Sequence, residues 1–202
     1  MPESIVGWLG ADKPSRTAGG DPAEPGFVAL GTIEARKNHM LLLDIWAKLA
    51  ARKQGTVPKL LLIGQRGWEC DAVFARLATD PLHRGSVIEL NDCSDEEAFG
   101  HVARARALLF PSLAEGFGLP LIESLAIGTP AIASDLPVFR EIGQGVPDLI
   151  DPADADAWLK AVEDYADPGN ARRRAQLQRL KAFRLFTWGD HFATIGPWLT
   201  KL

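Results

Sequence analysis

The sequence predicts an α/β domain in which parallel strands and helices alternate, and two observations lead to this fold class. From Phe27 onward, short apolar runs alternate with longer amphipathic stretches. The runs FVALG, LLLIG, ALLF and AIAS are nearly continuously apolar, which is typical of parallel strands covered by helices on both faces. Right-handed crossovers between such strands give a Rossmann-like, doubly wound parallel sheet.

The predicted elements follow one another in strand–helix pairs. The pairs are FVALGT with MLLLDIWAKLAARK, KLLLIG with WECDAVFARLAT, SVIEL with DEEAFGHVARA, RALLFPS with GLPLIESLAIG, and PAIAS with PVFREIG. After a short DLID segment, Asp154 is placed to cap a helix that runs through Tyr165. Asn170 is placed to open a second helix, which we expect to run to about Phe186.

The two ends of the chain depart from this alternation. The final stretch, WGDHFATIGPWLTKL, predicts a last helix that is broken at Gly196 and Pro197. Residues 10–26 are rich in Gly, Pro, Ala and Asp and have no apolar periodicity, so they are expected to form a loop or linker after the short apolar anchor SIVGWL. We therefore expect an N-terminal segment over 1–26 and one domain over 27–202 that includes the C-terminal helices.

Composition and charge bound the class of protein. The 202 residues, 47% hydrophobic and 24% charged, suffice for one packed domain. The formal net charge of −4 gives no general attraction to polyanions, so no nucleic-acid partner is expected.

The cysteines, histidines and apolar runs exclude further classes. Cys70 and Cys93 lack the spacing of a metal site or a disulfide framework, which indicates reduced thiols in a cytosolic protein. The four histidines are scattered, so no metal is predicted. No apolar run approaches the roughly 20 residues that span a bilayer. We expect a cytoplasmic protein, with peripheral contact at the inner face of a membrane left open.

The stretch 111–128, PSLAEGFGLPLIESLAIG, carries the most informative chemistry. It places Glu115 in a glycine-rich strand-to-helix turn and Glu123 in the helix that follows. Gly116 and Gly118 allow the backbone to approach a ligand closely. The free N–H groups of the helix, with the positive end of its dipole, form a site for phosphate or another anion.

Glu123 calls for a partner. It lies between Ile122 and Leu125 on a helix that is otherwise almost entirely apolar, and burying its charge unpaired would cost several kcal/mol. A vicinal diol such as a ribose could donate two hydroxyls to one carboxylate. The pattern alone leaves the alternative open that Glu115 is a solvated loop residue and that Glu123 faces water or pairs with a lysine or arginine.

The Glu-x-Phe-Gly turn with a second glutamate eight positions on resembles the signature of the group-1 family of retaining GT-B glycosyltransferases. The similarity runs from about Phe27 to Asp167, through GTIEARKNHMLLLDIW, KLLLIG and PSLAEGFGLPLIESLAIGTPAIASDLPVFREI. The resemblance implies that Glu123 binds the ribose of a nucleotide and that Glu115 faces the transferred sugar. It also implies that the backbone of the turn, from Gly116 through Phe117 and Gly118 to Leu119, meets the sugar and the phosphates.

By the same resemblance, Lys37 reaches the diphosphate of the donor. Transfer must break a bond to a departing diphosphate, and a nearby cation stabilises the charge that develops there. Many family members carry an arginine after the first-strand glycine, Gly31, but here that position is Thr32, which offers a hydroxyl and no charge. Arg36 is the candidate second cation, because ARKN resembles the EPRKN variant of some bacterial mannosyltransferase-like members. The alternative is that Arg36, Lys37 and Asn38 only cap and solvate a helix.

Two loops are weaker candidates. Residues 65–67 follow KLLLIG at the carboxyl edge of the sheet, where they either approach the nucleotide or are simply exposed. Residues 91–93 follow SVIEL at an equivalent edge, where the family receives the base through backbone groups. The absence of GxGxxG after the first strand and of GxxxxGK[ST] argues against a nicotinamide dehydrogenase and a P-loop nucleotidase.

The resemblance implies one half of a GT-B fold. A GT-B enzyme holds the acceptor mainly on its first Rossmann-like domain and the donor on its second, and this sequence corresponds to the second. With the N-terminal acceptor-binding domain absent, we expect the isolated chain to bind donor weakly and to transfer little.

For the intact enzyme, the expected reaction moves a hexosyl group from a nucleotide diphosphate sugar to a glycan or lipid-linked acceptor in polysaccharide or glycoconjugate biosynthesis. We expect retention at the anomeric carbon and no cofactor. GDP-mannose is weakly preferred as donor over a UDP-sugar. The alternatives are a non-catalytic nucleotide-sugar-binding module and a GT-B sugar-nucleotide epimerase or phosphorylase.

Overall fold

The computed structural model describes residues 4–12, 26–52, 56–80 and 85–200. Its centre is a six-stranded sheet in the order β3-β2-β1-β4-β5-β6, in which every pairing is parallel. The predicted Rossmann-like, doubly wound sheet is therefore confirmed. The strands are β1 Phe27–Leu30, β2 Leu60–Ile63, β3 Val87–Leu90, β4 Ala107–Phe110, β5 Ala131–Ser134 and β6 Asp148–Ile150.

Eight α-helices accompany these strands in the described part of the chain. Five of them follow the strands in the predicted strand–helix pairs, and three close the chain. The helices are α1 His39–Ala51, α2 Asp71–Thr79, α3 Asp95–Arg104, α4 Leu119–Ile127, α5 Pro137–Ile142, α6 Ala155–Ala166, α7 Ala171–Leu180 and α8 Trp188–Leu199.

The sheet buries an apolar core on each face, as its continuously apolar strands require. On β1, Phe27 and Ala29 point into a core with α1 and α6, and Val28 points into the other core with α3, α4 and α5. Trp46 and Trp158 are fully buried in the first core. Helices on both faces explain why the strands carry almost no polar residues.

The strand order places a switch in direction at the centre of the sheet. The chain moves outward from β1 to β2 and β3 and then returns to lay β4 on the other side of β1, with Phe27 beside Ala107 and Val28 beside Leu108. The connections that leave the carboxyl ends of β1 and β4 therefore depart in opposite directions. In open parallel sheets a crevice forms at this point, and ligands bind there.

The helix after Asn170 ends earlier than the sequence predicts. Asp154 and Asn170 cap α6 and α7 as expected, but α7 stops at Leu180 instead of continuing to about Phe186. The side chain of Gln144 donates to the carbonyl of Arg184 at 2.7 Å and accepts from its N–H at 3.1 Å. These bonds satisfy the backbone without a helix, so the predicted end of α7 was wrong.

The predicted break in the last helix was also wrong. Helix α8 continues through Pro197 to Leu199, and the N–H of Thr200 still donates to the carbonyl of Gly196 at 3.2 Å. A proline inside a helix removes one backbone hydrogen bond and crowds the preceding turn. Here Pro197 lies within the last turn, so only a few residues follow it.

Residues 4–12 lie against α8 and the segment before it. The carbonyl of Trp8 lies 2.6 Å from His191 Nδ1, and the N–H of Ala11 donates to the carbonyl of Phe186 at 3.0 Å. A Cβ at Gly10 would lie 2.2 Å from the backbone nitrogen of Trp188, so this approach requires a glycine. The linker predicted over 10–26 falls mostly on residues 13–25, outside the described residues.

Within the described ranges, no helix combines the length and the apolar composition needed to cross a membrane.

A buried polar network attaches α7 to β5 and to the segment before β6. The Tyr165 hydroxyl donates to Gln176 Oε1 at 2.9 Å, and Gln176 Nε2 donates to the carbonyls of Ala131 at 2.6 Å and Val146 at 3.1 Å. Gln176 and Tyr165 are both fully buried. Every side-chain polar atom of Gln176 thus has a partner, as a buried amide requires.

Replacing Gln176 with alanine should lower the free energy of unfolding by about 2–4 kcal/mol, because it leaves a cavity and removes three buried hydrogen bonds. Urea denaturation followed by circular dichroism measures this change. Gln178→Ala, at an exposed position of the same helix, is the matched control and should change stability by less than about 0.5 kcal/mol. Equal effects at both positions would contradict the described network.

Candidate active site

The site lies at the carboxyl ends of β1 and β4, where the sheet changes direction. Gly31 and Thr32 follow β1 directly, and a 3₁₀-helical turn, Ala35–Lys37, carries Arg36 and Lys37. Glu115 lies in the loop after β4. The N–H of Leu113 donates to the carbonyl of Arg36 at 2.7 Å, so the backbone itself joins the two loops.

Glu115 is the centre of a compact charged cluster. Its Oε1 accepts from Lys37 Nζ at 2.6 Å and from the Ser112 hydroxyl at 2.9 Å, and its Oε2 lies 2.8 Å from Arg36 Nη1. Only 7% of the Glu115 side chain is exposed. The alternative that Glu115 is a solvated loop residue therefore does not hold.

Lys37 is held by Glu115 and by the Phe110 ring, and it lies close to Gly31. Besides Glu115, its Nζ lies 4.6 Å from the centre of the Phe110 ring, and a Cβ at Gly31 would lie 3.6 Å from it. Lys37 is buried, so it does not merely solvate the start of a helix. Asn38, in the left-handed region at φ 56°, makes no side-chain cap to α1.

Arg36 extends along the outer side of the cluster and remains about half exposed. Its Nη1 donates to the carbonyl of Ala114 at 3.2 Å and pairs with Glu115, while its Nε lies 2.6 Å from Glu34 Oε1. The structure thus brings Arg36, Lys37 and Glu115 together in one cluster.

The protonation states follow from these contacts. Burial raises the pKa of Glu115, but the contacts with Lys37, and then with Ser112 and Arg36, lower it by more than burial raises it. The pKa of Glu115 therefore lies below the ordinary glutamate value. Burial, with the charge of Lys37, lowers the pKa of His39 to about 4, and a hydrogen bond to the backbone of Glu34 offsets this only in part. At neutral pH, Glu115 is ionised and His39 is neutral.

Glu123 stands apart from this cluster on α4. Burial raises its pKa, and the charge of Asp95 raises it further. In the described part of the chain, no lysine or arginine forms a salt bridge with Glu123. Its half-buried carboxylate is therefore free to accept hydrogen bonds from a ligand.

The turn between Glu115 and α4 uses its two glycines differently. Gly118 has φ +96°, and a Cβ there would lie 2.6 Å from the Phe139 ring, so packing alone requires glycine. Gly116 has open space where a Cβ would be. Phe117 packs against the second core, and Leu119, the first residue of α4, is exposed.

The N-terminus of α4 has no cap from its own chain. Gly118 occupies the capping position, and neither a side-chain cap nor an acidic residue lies in the first turn. Pro120 removes one donor, and the N–H of Leu121 donates to Gly118. The positive end of the helix dipole therefore stays available to an anion.

The other predicted residues have local partners. The methyl group of Thr32 packs closely against Gly67, since a Cβ at Gly67 would lie 2.8 Å from it. Arg66 forms a bidentate pair with Glu89, in which Nε donates to Oε1 at 2.7 Å and Nη2 donates to Oε2 at 2.6 Å. An open cavity of about 490 Å³ lies at the carboxyl end of β3, lined by Glu89, Leu90, Asn91, Asp92, Cys93, Glu97 and His101.

The sequence reasoning missed two residues of the cluster. Ser112, fully buried, donates to Glu115, and its position three residues before that glutamate in PSLAEG was the available signal. Glu34, also buried, contacts Arg36, and the available signal was its match to the first residue of the EPRKN variant, because residues 34–38 read EARKN. Among the described residues, no group of three or more His, Cys, Asp or Glu side chains is placed to hold a metal ion.

Two solved structures share this architecture. The sucrose-phosphate synthase of Thermosynechococcus elongatus superposes with a TM-score of 0.68 at 28% identity, over 90% of this chain and 46% of that one. The structure of TarM superposes with a TM-score of 0.65 over 96% of this chain and 37% of that one, and at 15% identity it supports the fold alone. Together with the sheet order, these likenesses place the chain in the GT-B class of glycosyltransferases.

The sequence assigns the chain to one family within this class. Residues 24–167 match the profile of the family described as glycosyl transferases group 1, and the chain belongs to that family. It is 36% identical over 154 residues to the serotype-specific mannosyltransferase WbdA of Escherichia coli, covering 72% of this chain and 18% of that protein. It is 31% identical over 159 residues to the O-antigen chain mannosyltransferase B of Escherichia coli, covering 79% of this chain and 41% of that protein. The chain thus spans less than half the length of either mannosyltransferase.

The two turn glycines should differ in their effect on stability. Gly118→Ala should lower the free energy of unfolding by about 2–4 kcal/mol, because the new Cβ meets Phe139 in a left-handed conformation. Gly116→Ala should change it by less than about 0.5 kcal/mol. Thermal unfolding by calorimetry compares the two variants, and comparable losses in both would contradict the described turn.

Lys37→Met should raise the pKa of Glu115. The variant keeps the burial that raises this pKa and removes the cation that contributes most to lowering it. The low pKa of Glu115 contributes stability that is present above the unfolded-state pKa and is lost as pH falls through the folded pKa. In Lys37→Met this acid-side loss should therefore begin at higher pH.

Carbon-13 NMR titration of the Glu115 carboxyl measures this shift directly. Lys48→Met, which breaks the exposed pair with Asp156, is the control and should leave the Glu115 titration unchanged. An unshifted Glu115 titration in Lys37→Met would contradict the contact between the two side chains.

Proposed function

We propose that this chain is the donor-binding domain of a retaining glycosyltransferase that transfers a hexosyl group from a nucleotide diphosphate sugar to a glycan or lipid-linked acceptor. The observation that carries the proposal is the convergence of Lys37 and Arg36 on the buried carboxylate of Glu115 at the switch point of the sheet. Loops from β1 and β4 build this arrangement where ligands bind in open parallel sheets. Glu123 completes it on the helix that follows.

The cations suit a departing diphosphate. As the bond between the anomeric carbon and the diphosphate oxygen breaks, negative charge grows on the diphosphate, and cations already fixed in place stabilise it without reorganising. Lys37 is fixed by Glu115 and by the Phe110 ring. The uncapped N-terminus of α4 adds a positive dipole end for the phosphates.

The carboxylates suit the two sugars of the donor. Glu123 is desolvated and has no salt-bridge partner among the described residues, so the two hydroxyls of a ribose would satisfy it. Glu115 is ionised and oriented by three donors, so it would accept hydrogen bonds from the transferred sugar while remaining fixed. The cavity after β3, at about 490 Å³, falls in the size range of small-molecule sites and would receive the base.

The relatives support a mannosyl donor. Both Escherichia coli proteins compared above are named mannosyltransferases, so GDP-mannose is the preferred donor, with a UDP-sugar as the alternative. Because this chain spans less than half of each of them, we propose that an N-terminal acceptor-binding domain completes the catalytic cleft. We expect the isolated chain to bind the nucleotide and to transfer little sugar.

Calorimetric titration of this chain with GDP, UDP and ADP tests the proposal. Glu123→Gln should weaken the best ligand by roughly 10- to 100-fold, the loss expected when charge-assisted hydrogen bonds disappear. It should also abolish the preference for the ribonucleotide over its 2′,3′-dideoxy form, because only Glu123 is proposed to read the diol.

Glu96→Gln removes the same charge at an exposed position of α3 and should leave the affinity unchanged. Retained ribose preference in Glu123→Gln would overturn the assignment of Glu123. Absence of binding by all three nucleotides would overturn the donor-binding function of this chain.

A further inference from the structure

Glu34 is a buried carboxylate that local structure does not explain. It occupies the N-cap position of the 3₁₀ turn Ala35–Lys37, where the shorter side chains of Ser, Thr, Asp and Asn usually accept a backbone N–H of the turn. The Glu34 side chain makes no such cap. Its side chain is only 5% exposed, so the carboxylate is buried although it does not cap the adjacent 3₁₀ turn.

The carboxylate of Glu34 instead meets Arg36. Arg36 Nε lies 2.6 Å from Glu34 Oε1, as a close ion pair. The direction of this contact departs from that of a hydrogen bond, and Oε1 has no hydrogen-bond donor among the described residues. Glu34 is therefore bound to Arg36 by charge, with an accepting lone pair to spare.

Arg36 needs such a support. About half of its side chain is in solvent, and an arginine there loses considerable rotamer entropy when it is fixed. Glu34 holds its Nε end, while Nη1 faces Glu115 and the carbonyl of Ala114. Two carboxylates thus contact the guanidinium, one at Nε and one at Nη1, and together they limit the orientations open to it.

We propose that Glu34 is a positioning residue that orients Arg36 towards the diphosphate of the donor; this inference rests on the proposed function. When the diphosphate arrives, Glu115 must share Arg36 and Lys37 with it. Glu34 contacts Nε and not the Nη1 that faces Glu115, so it keeps its contact and holds the guanidinium aimed at the phosphates. This device allows Arg36 to serve as a second cation although position 32 is a threonine.

Binding of GDP and of GMP to the unmodified chain and to Glu34→Gln, Arg36→Met and the double variant tests this role. Glu34→Gln should weaken GDP by roughly 3- to 10-fold, within the range of coupling between neighbouring groups, and should leave GMP unchanged. In the Arg36→Met background, Glu34→Gln should have no further effect on GDP. Asp148→Asn, which breaks a partly buried pair with Arg172 on α7, should affect neither ligand.

A second measurement needs no ligand. The Nε signal of Arg36 in a proton–nitrogen NMR spectrum, identified by its loss in Arg36→Met, should be displaced from the position of a solvent-exposed arginine in the unmodified chain, because the charge of the Glu34 carboxylate lies 2.6 Å away. In Glu34→Gln it should move to the position of a solvent-exposed arginine.

The outcomes separate the two proposals. If GDP binds to the unmodified chain but Glu34→Gln weakens GDP and GMP equally, or leaves the Arg36 signal unchanged, Glu34 is structural and only the positioning role fails. Additive losses in the double variant would also overturn that role. If GDP does not bind to the unmodified chain, both the proposed function and this inference fail.

Discussion

The parallel pairing of β1 with β4 is the constraint on which the site depends. Lys37 and Glu115 are 78 residues apart in sequence, and no local turn could bring them together. They meet because the chain returns from β3 to the opposite side of β1, so that the loops after β1 and β4 leave the same edge of the sheet side by side. The contact exists only when the central strands have paired.

Charge balance then fixes the character of the site. Two carboxylates, Glu34 and Glu115, surround two cations, Arg36 and Lys37, while burial keeps His39 neutral. Each buried charge would be costly alone, and the cluster offsets that cost by pairing them. Because the carboxylates balance the cations in the chain itself, an anion entering here redistributes contacts among groups that are already in place.

The sequence predicted the fold well because the signal for buried parallel strands is strong and local. Nearly continuous apolar runs marked four of the strands, and Asp154 and Asn170 marked two helix starts. The expected roles of Lys37 and Glu115 followed from the resemblance to a family motif. The end of α7 could not be predicted from the local sequence, because it depends on Gln144. The side chain of Gln144 forms hydrogen bonds with the backbone of Arg184, 40 residues away in sequence. Ser112 and Glu34 were missed for a related reason: their roles depend on where their side chains point.

The docking of residues 4–12 on α8 has a consequence for the dynamics of the domain. No residue of α8 is fully buried, and its contacts include a segment more than 170 positions earlier in sequence. No residue of α8 belongs to either core, whereas Ala11, in the segment docked on it, is buried in the second core. In hydrogen-exchange terms, we expect α8 to open at a lower free energy than the sheet. The amide protons of α8 would then report the detachment of this helix while those of β1 and β4 report global unfolding.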